Sequence, residues 1–105
     1  MSKKQVVRIT KLYLKQVKEA GIPIKEAYLF GSQLTEKTHK GSDIDVCIVS
    51  PIFGKDRQKE RIILMNIRDN NTLTIEPHPV SPKDLQSKFL PLSSQIMKTG
   101  QKISL

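Results

Sequence analysis

The stretch Gly31-Ser32-Gln33-Leu34-Thr35-Glu36-Lys37-Thr38-His39-Lys40-Gly41-Ser42-Asp43-Ile44-Asp45 decides the reading of this chain. It sets a Gly-Ser turn ten residues ahead of two carboxylates spaced i, i+2. Side chains alternate faces along a β-strand, so Asp43 and Asp45 point the same way from a strand that begins there, with Ile44 turned into the core. Two parallel carboxylates are a place to hold a metal ion. Gly31 lets the backbone approach an anion closely, and Ser32 offers a hydroxyl and an amide hydrogen at the start of a short helix, so the turn suits phosphate.

The flanking segments tell how this stretch is held. Ile24 to Phe30 is apolar and reads as a buried strand that delivers the turn at its C-terminal end. Before it, Val6, Ile9, Tyr13, Val17 and Ala20 recur at helical steps within residues 3 to 20 and form the expected buried stripe, and Gly21 and Pro23 end that helix. Lys4, Arg8, Lys11, Lys15 and Lys18 recur on its opposite side as a basic ridge. Val7 and Leu14 fall beside the ridge, outside the stripe, as single exposed apolar residues or as part of a contact surface.

Residues 32 to 42 are polar and read as a short helical turn and a loop. Asp43 to Ser50 is a β-rich run with carboxylates only at its start, terminated by Pro51. From Asp56 to about Asn70 the placing of Arg57, Ile62, Ile63, Leu64, Met65 and Ile67 predicts a helix with a broad apolar face, capped by Asp56. Leu73 to Val80 is a third strand, in which Pro77 and Pro79 remove two ladder donors and so call for a sheet edge or a bulge. Ser81-Pro82-Lys83-Asp84 offers an N-cap, a proline at N1 and an acid at N3, starting a helix to about Phe89 that Pro91 breaks. Ser93 to Leu105 holds at most one short helical turn. The order of elements predicts an α/β, two-layer arrangement of a small sheet with helices, strand directions left open.

At 105 residues the chain is expected to be a single domain, residues 1–105, with one hydrophobic core. Any cleft is then open or shared with a partner. The 37% hydrophobic content is ordinary for a soluble protein, and no apolar run approaches the roughly 20 residues that span a bilayer, so no membrane role is expected. The N-terminus has no apolar h-region of a secretory signal. Cys47 is alone, which excludes an internal disulfide and fits a reducing cytoplasm. Eighteen Lys and Arg against ten Asp and Glu give a net charge of +8, which favours anionic partners: a nucleotide triphosphate, nucleic acid or an acidic protein.

A hard divalent ion such as Mg²⁺ takes oxygen ligands and is usually held by one or two carboxylates plus substrate phosphates. Asp43 and Asp45 meet that need, and a neighbouring strand has to supply a third carboxylate. Glu76 is the one acidic residue of the third predicted strand, within Leu-Thr-Ile-Glu-Pro-His-Pro-Val, and is the candidate.

Gly31-Ser32, ten intervening residues and Asp43-Ile44-Asp45-Val46, with a strand before each and an acidic strand after, resemble the signature of the DNA polymerase β-like nucleotidyltransferase superfamily. A chain this short resembles the minimal nucleotidyltransferases (MNT) within it, whose members often act as antitoxins beside HEPN-domain partners. The resemblance covers roughly residues 5 to 90. It implies the two-layer nucleotidyltransferase fold, a small mixed β-sheet with helices packed against it. It also implies two Mg²⁺ ions and transfer of a nucleoside monophosphate, AMP from ATP or the equivalent from another NTP, to a hydroxyl. Carried onto this chain, Asp43 and Asp45 would ligate both metals, Glu76 would help bind the catalytic ion and take the hydroxyl's proton, and Gly31 and Ser32 would bind the nucleotide. Two departures stand out: Gln33 to Lys40 holds no arginine, which leaves phosphate contacts to Lys37 or Lys40, and the third acid is Glu where Asp is common.

Three functions remain in play. The first is a protein adenylyltransferase whose partner brings the hydroxyl, as the antitoxin of a toxin-antitoxin pair. The second is a binding module that neutralises a HEPN-type partner by contact alone. The third, not favoured, is RNA or DNA binding through the basic ridge, with few aromatics free for stacking. Among the other residues, His78 shares the face of Glu76, yet reads more plainly as a surface histidine between prolines than as a nucleotide contact or proton carrier. His39 reads as solvated, Cys47 as a small core residue, and Tyr28 and Phe30 as core.

Overall fold

The structure, a computed structural model, describes residues 2–31, 43–87 and 90–105. The chain enters through α1 (Lys3–Glu19), whose first turn is closed by a capping box between Ser2 and Gln5. The elements that follow are β1 (Glu26–Phe30), β2 (Ile44–Val49), α2 (Arg57–Ile67), β3 (Ile75–Val80), α3 (Pro82–Leu85), α4 (Pro91–Thr99) and β4 (Gln101–Lys102). Asp56 caps α2 by accepting from the Lys59 amide at 3.2 Å. Glu60 reaches back from the first turn to accept from the Gly54, Lys55 and Asp56 amides.

Among the described residues the strands form one mixed sheet in the order β3-β2-β1-β4. β2 runs antiparallel to β1 and parallel to β3, and β4 runs antiparallel to β1. The parallel step from β2 to β3 needs a crossover, which α2 provides. β3 lies at the edge, as its two prolines require: neither can donate to a neighbouring strand.

The two faces of the sheet differ. Ala27, Leu29, Ile44, Val46, Ile48 and Ile75 point into the main core, which α1 and α2 close with Val6, Tyr13, Val17 and Leu64. The buried Tyr13 hydroxyl donates to the Leu64 carbonyl at 2.6 Å and ties the two helices together. The opposite face carries Phe30, Cys47, Val49 and Val80 under Ile96 of α4, a smaller cluster that fills only part of it. The rest of that face is polar and belongs to the site.

Several expectations are corrected. Leu14 is buried in the main core and Val7 is half-buried against it, so neither stands on an exposed contact surface. The reason lies far along the chain, because Ile103 joins the same core and Leu105 lines a cavity with Leu14. Ala20 is exposed at the C-cap of α1, while Thr10 is buried and bonds the Val6 carbonyl at 2.7 Å. Ile62 and Ile63 are exposed, so the buried face of α2 is narrower than its sequence suggests. Pro91, expected only to break a helix, sits in the first turn of α4, and α4 and β4 replace the single turn expected for the last segment. The helix begun by Ser81 and Pro82 ends at Leu85.

Candidate metal and nucleotide site

The site forms where three strands bring their polar ends to the same face. The register sets Asp45 opposite Phe30 on one side and opposite Glu76 on the other, and the next row aligns Tyr28, Cys47 and His78. Period-2 alternation then aims Asp45, Glu76 and His78 out of the same face. Three of their ligand atoms, one from each side chain, lie within 4.8 Å of one another, a spacing at which they could share a metal ion. All three are partly exposed, as a site open to solvent ions requires.

Each member is held in place. His78 Nε2 lies 3.1 Å from Asp45 Oδ1, and its ring meets Phe30 edge-on at a centroid distance of 5.0 Å. Glu76 Oε1 accepts from Arg61 Nη2 at 2.5 Å. Arg68 fixes the approach to β3 by donating to the Met65, Leu73 and Ile75 carbonyls. Gln16 of α1 pins the same turn through Asp69 and Thr72. Asp43 stands exposed just before β2.

Gly31 completes the site from the other side. Its φ of +86° lies in the left-handed region, and a Cβ there would come 2.3 Å from Asp45 Oδ2. Only glycine lets the chain turn this close to the carboxylate. Ser32, Lys37, His39 and Lys40 lie outside the described residues.

The structure therefore brings Glu76 to Asp45, as expected, and Gly31 to their side. It adds two groups that the sequence reading set aside. His78, read as a surface residue, faces the carboxylates, and its spacing of two from Glu76 is the signal. Arg61 was not singled out, although Arg57 and Arg61 stand one helical turn apart on the helix that feeds β3. Together with Gln58, His78, Pro79 and Leu92 these arginines line a cleft of about 460 Å³ beside Glu76. A second cavity of about 490 Å³, lined by Leu85, Ser93 and Met97, has no titratable side chain in its wall. Cys47, deeper on the face, is fully buried, and burial pushes its thiol up to about 12.

Two carboxylates beside an imidazole form a donor set that fits a divalent cation; among the described residues Asp43, expected as a ligand, is not one of these three. Among the described residues no helix is long and apolar enough to cross a membrane.

A family model described as a nucleotidyltransferase domain matches residues 10–102. No curated protein matches the chain in sequence. Among solved structures, a protein of Sulfolobus solfataricus described as a nucleotidyltransferase superposes with a TM-score of 0.57 at 18% identity, over 74% of this chain and 68% of that one. A toxin-antitoxin complex with AMP-PNP aligns at a TM-score of 0.57 and 23% identity, covering 91% of this chain and 72% of that one. A mutant of the toxin-antitoxin MntA-HpeT gives 0.57 and 17% over the same shares. At these identities the likeness is one of fold.

Proposed function

The chain belongs to the nucleotidyltransferase domain family, and from that premise we propose that it transfers a nucleoside monophosphate, AMP from ATP, to a hydroxyl of a partner protein, as the antitoxin of a toxin-antitoxin pair. The observation that carries the reading is the direct opposition of Asp45 and Glu76 across the parallel β2–β3 pair, with Gly31 against Asp45. A toxin-antitoxin complex with AMP-PNP among the similar structures supports both the nucleotide and the partner. The partner we infer is a HEPN-domain protein, and the setting is the cytoplasm.

The strand order supports a division of labour. Gly31 lies on the β1 side of Asp45, and we assign the leaving pyrophosphate to that side. In-line displacement sets the attacking oxygen on the opposite side of the α-phosphorus, which is the β3 side. There Arg61 holds Glu76 Oε1, and Oε2 takes the proton of the acceptor hydroxyl as its oxygen bonds to phosphorus. Asp43, Asp45 and Glu76 would hold two Mg²⁺ ions, which supply charge neutralisation for the triphosphate and lower the barrier to attack. The cleft walled by Arg57, Arg61 and Leu92 opens next to Glu76 and is the path for the acceptor.

The test is direct. Purified protein with labelled ATP and Mg²⁺ labels its partner, and Asp43→Asn with Asp45→Asn abolishes labelling. Labelling that survives the double change would overturn the metal assignment. A second reading, neutralisation by contact alone, is favoured by Leu12, Ile62 and Ile63, which stay exposed on α1 and α2. A double variant that still neutralises the partner's toxicity would select it.

A further inference from the structure

We propose that His78 is a metal ligand, making this site a mixed nitrogen and oxygen site that selects a first-row transition ion such as Mn²⁺ over Mg²⁺. The inference rests on the metal-dependent reading of the same site and adds a ligand and an ion preference to it.

The geometry suits a shared ion. Around an octahedral ion with bonds of about 2.1 Å, adjacent ligand atoms stand about 3 Å apart. His78 Nε2 and Asp45 Oδ1 are separated by 3.1 Å, so both can bind one ion at adjacent positions without backbone movement. The Glu76 oxygen completes a trio that lies within 4.8 Å, slightly wider than one coordination sphere, and a small side-chain rotation closes it. These three atoms come from one face of two paired strands, Asp45 opposite Glu76 and His78 one step further on, so the rigid part of the sheet sets the trio.

The imidazole is also pre-positioned. Its ring is braced edge-on by Phe30, whose own side chain is buried. Pro77 and Pro79 on either side restrict the backbone that carries it. A ligand held this way loses little freedom on binding.

The chemistry of the donor sets the preference. Oxygen donors alone serve Mg²⁺, which dehydrates reluctantly and seldom takes nitrogen. An imidazole nitrogen raises affinity for first-row transition ions relative to Mg²⁺, and Mn²⁺, the hardest of that series, is the one that accepts carboxylate oxygen and octahedral geometry most readily. A carboxylate in place of His78 would leave the site hard.

The experiment uses the full chain and the ions alone. Mn²⁺ and Mg²⁺ are titrated calorimetrically into wild type, His78→Gln and Glu76→Gln, with circular dichroism to confirm the fold, and electron spin-echo modulation is recorded on the Mn²⁺ form. The expected result is a ¹⁴N coupling from imidazole in wild type that vanishes in His78→Gln. Mn²⁺ affinity should fall about tenfold or more in that variant while Mg²⁺ affinity moves far less. Glu76→Gln should weaken both ions. An all-oxygen spectrum with an unchanged Mn²⁺-to-Mg²⁺ ratio in His78→Gln overturns the proposal and leaves His78 as a hydrogen-bond partner of Asp45, with the transferase reading intact. Binding of neither ion by wild type, with or without ATP, overturns the proposal and the metal-dependent reading together.

Discussion

Gly31 and Asp45 occupy the same small space: a Cβ on Gly31 would lie 2.3 Å from Asp45 Oδ2. The turn that ends β1 and the carboxylate near the start of β2 are thus one structural unit, joined by the antiparallel pairing of Phe30 with Asp45. A phosphate cradled at the turn and a cation held by the carboxylate would be neighbours by construction. The arrangement ties the conformation of one residue to the chemistry of the other.

Gly31→Ala tests that coupling. The added methyl meets a left-handed φ, which costs about 1–2 kcal/mol for a residue with a Cβ, and it displaces the Asp45 carboxylate. The expected outcome is a folded protein, by circular dichroism, that has lost divalent-ion binding in calorimetry. Normal ion affinity in a folded Gly31→Ala would show that Asp45 does not need its present position.

Arg61 pairs with Glu76, and its charge opposes that of an ion sharing the carboxylate. Their pair is partly solvent-exposed on both sides, so its contribution to stability is small, about 0–1 kcal/mol. Removing the guanidinium also removes a positive charge beside the site. Arg61→Met should therefore leave the urea midpoint nearly unchanged and raise divalent affinity severalfold, measured by titration at low ionic strength. Unchanged affinity together with a large loss of stability would assign Arg61 a structural role instead.

Asp45 stood out because it sat at the polar end of a β-rich run, and Glu76 because it was the one acid within the apolar, proline-rich third strand. The edge position of β3 was legible too, through the missing donors of Pro77 and Pro79. What escaped depended on contacts remote in sequence. Leu14 stood beside lysines on an isolated helix, and its burial comes with the packing of the far C-terminal segment. β4 is two residues long and carries no period to read. His78 had a visible spacing from Glu76, but the parallel register that sets it beside Asp45 could not be chosen from one sequence. Arg61 was hidden because its helix was read only for its apolar side.

Tyr13→Phe separates core stability from the site. The hydroxyl donates to the Leu64 carbonyl inside the core, and burial raises its pKa well above the ordinary tyrosine value. Deleting it removes one buried hydrogen bond, worth about 0.5–1.5 kcal/mol. Thermal unfolding should show that loss as a lower Tm, with ion affinity unchanged because the bond joins α1 to α2 on the far face of the sheet. A change in ion affinity without a change in Tm would contradict this division between the faces.

Alkaline pH should destabilise the fold through groups that the folded state holds in protonated form. Burial lifts the Cys47 thiol from 9.0 to about 12, and the hydrogen bond to Glu26, followed by burial, lifts Tyr28 from 10.0 to about 12. In each case the folded state holds its proton more tightly than the unfolded state. The stabilisation is therefore fully present below the unfolded value and is lost as pH rises towards the folded one, with a limit of about 1.4 kcal/mol per pH unit for the buried Cys47 and less for Tyr28, whose partial exposure screens the effect. Cys47 begins to act near pH 9, a unit before the tyrosines, which gives it a window of its own. Cys47→Ala should be less stable at pH 8, from the lost packing against Phe30, Val49, Val80 and Ile96. Its urea midpoint should nevertheless decline more gently than that of wild type between pH 9 and 10. Parallel declines in the two proteins would mean that the thiol ionises in the folded state as readily as in the unfolded one.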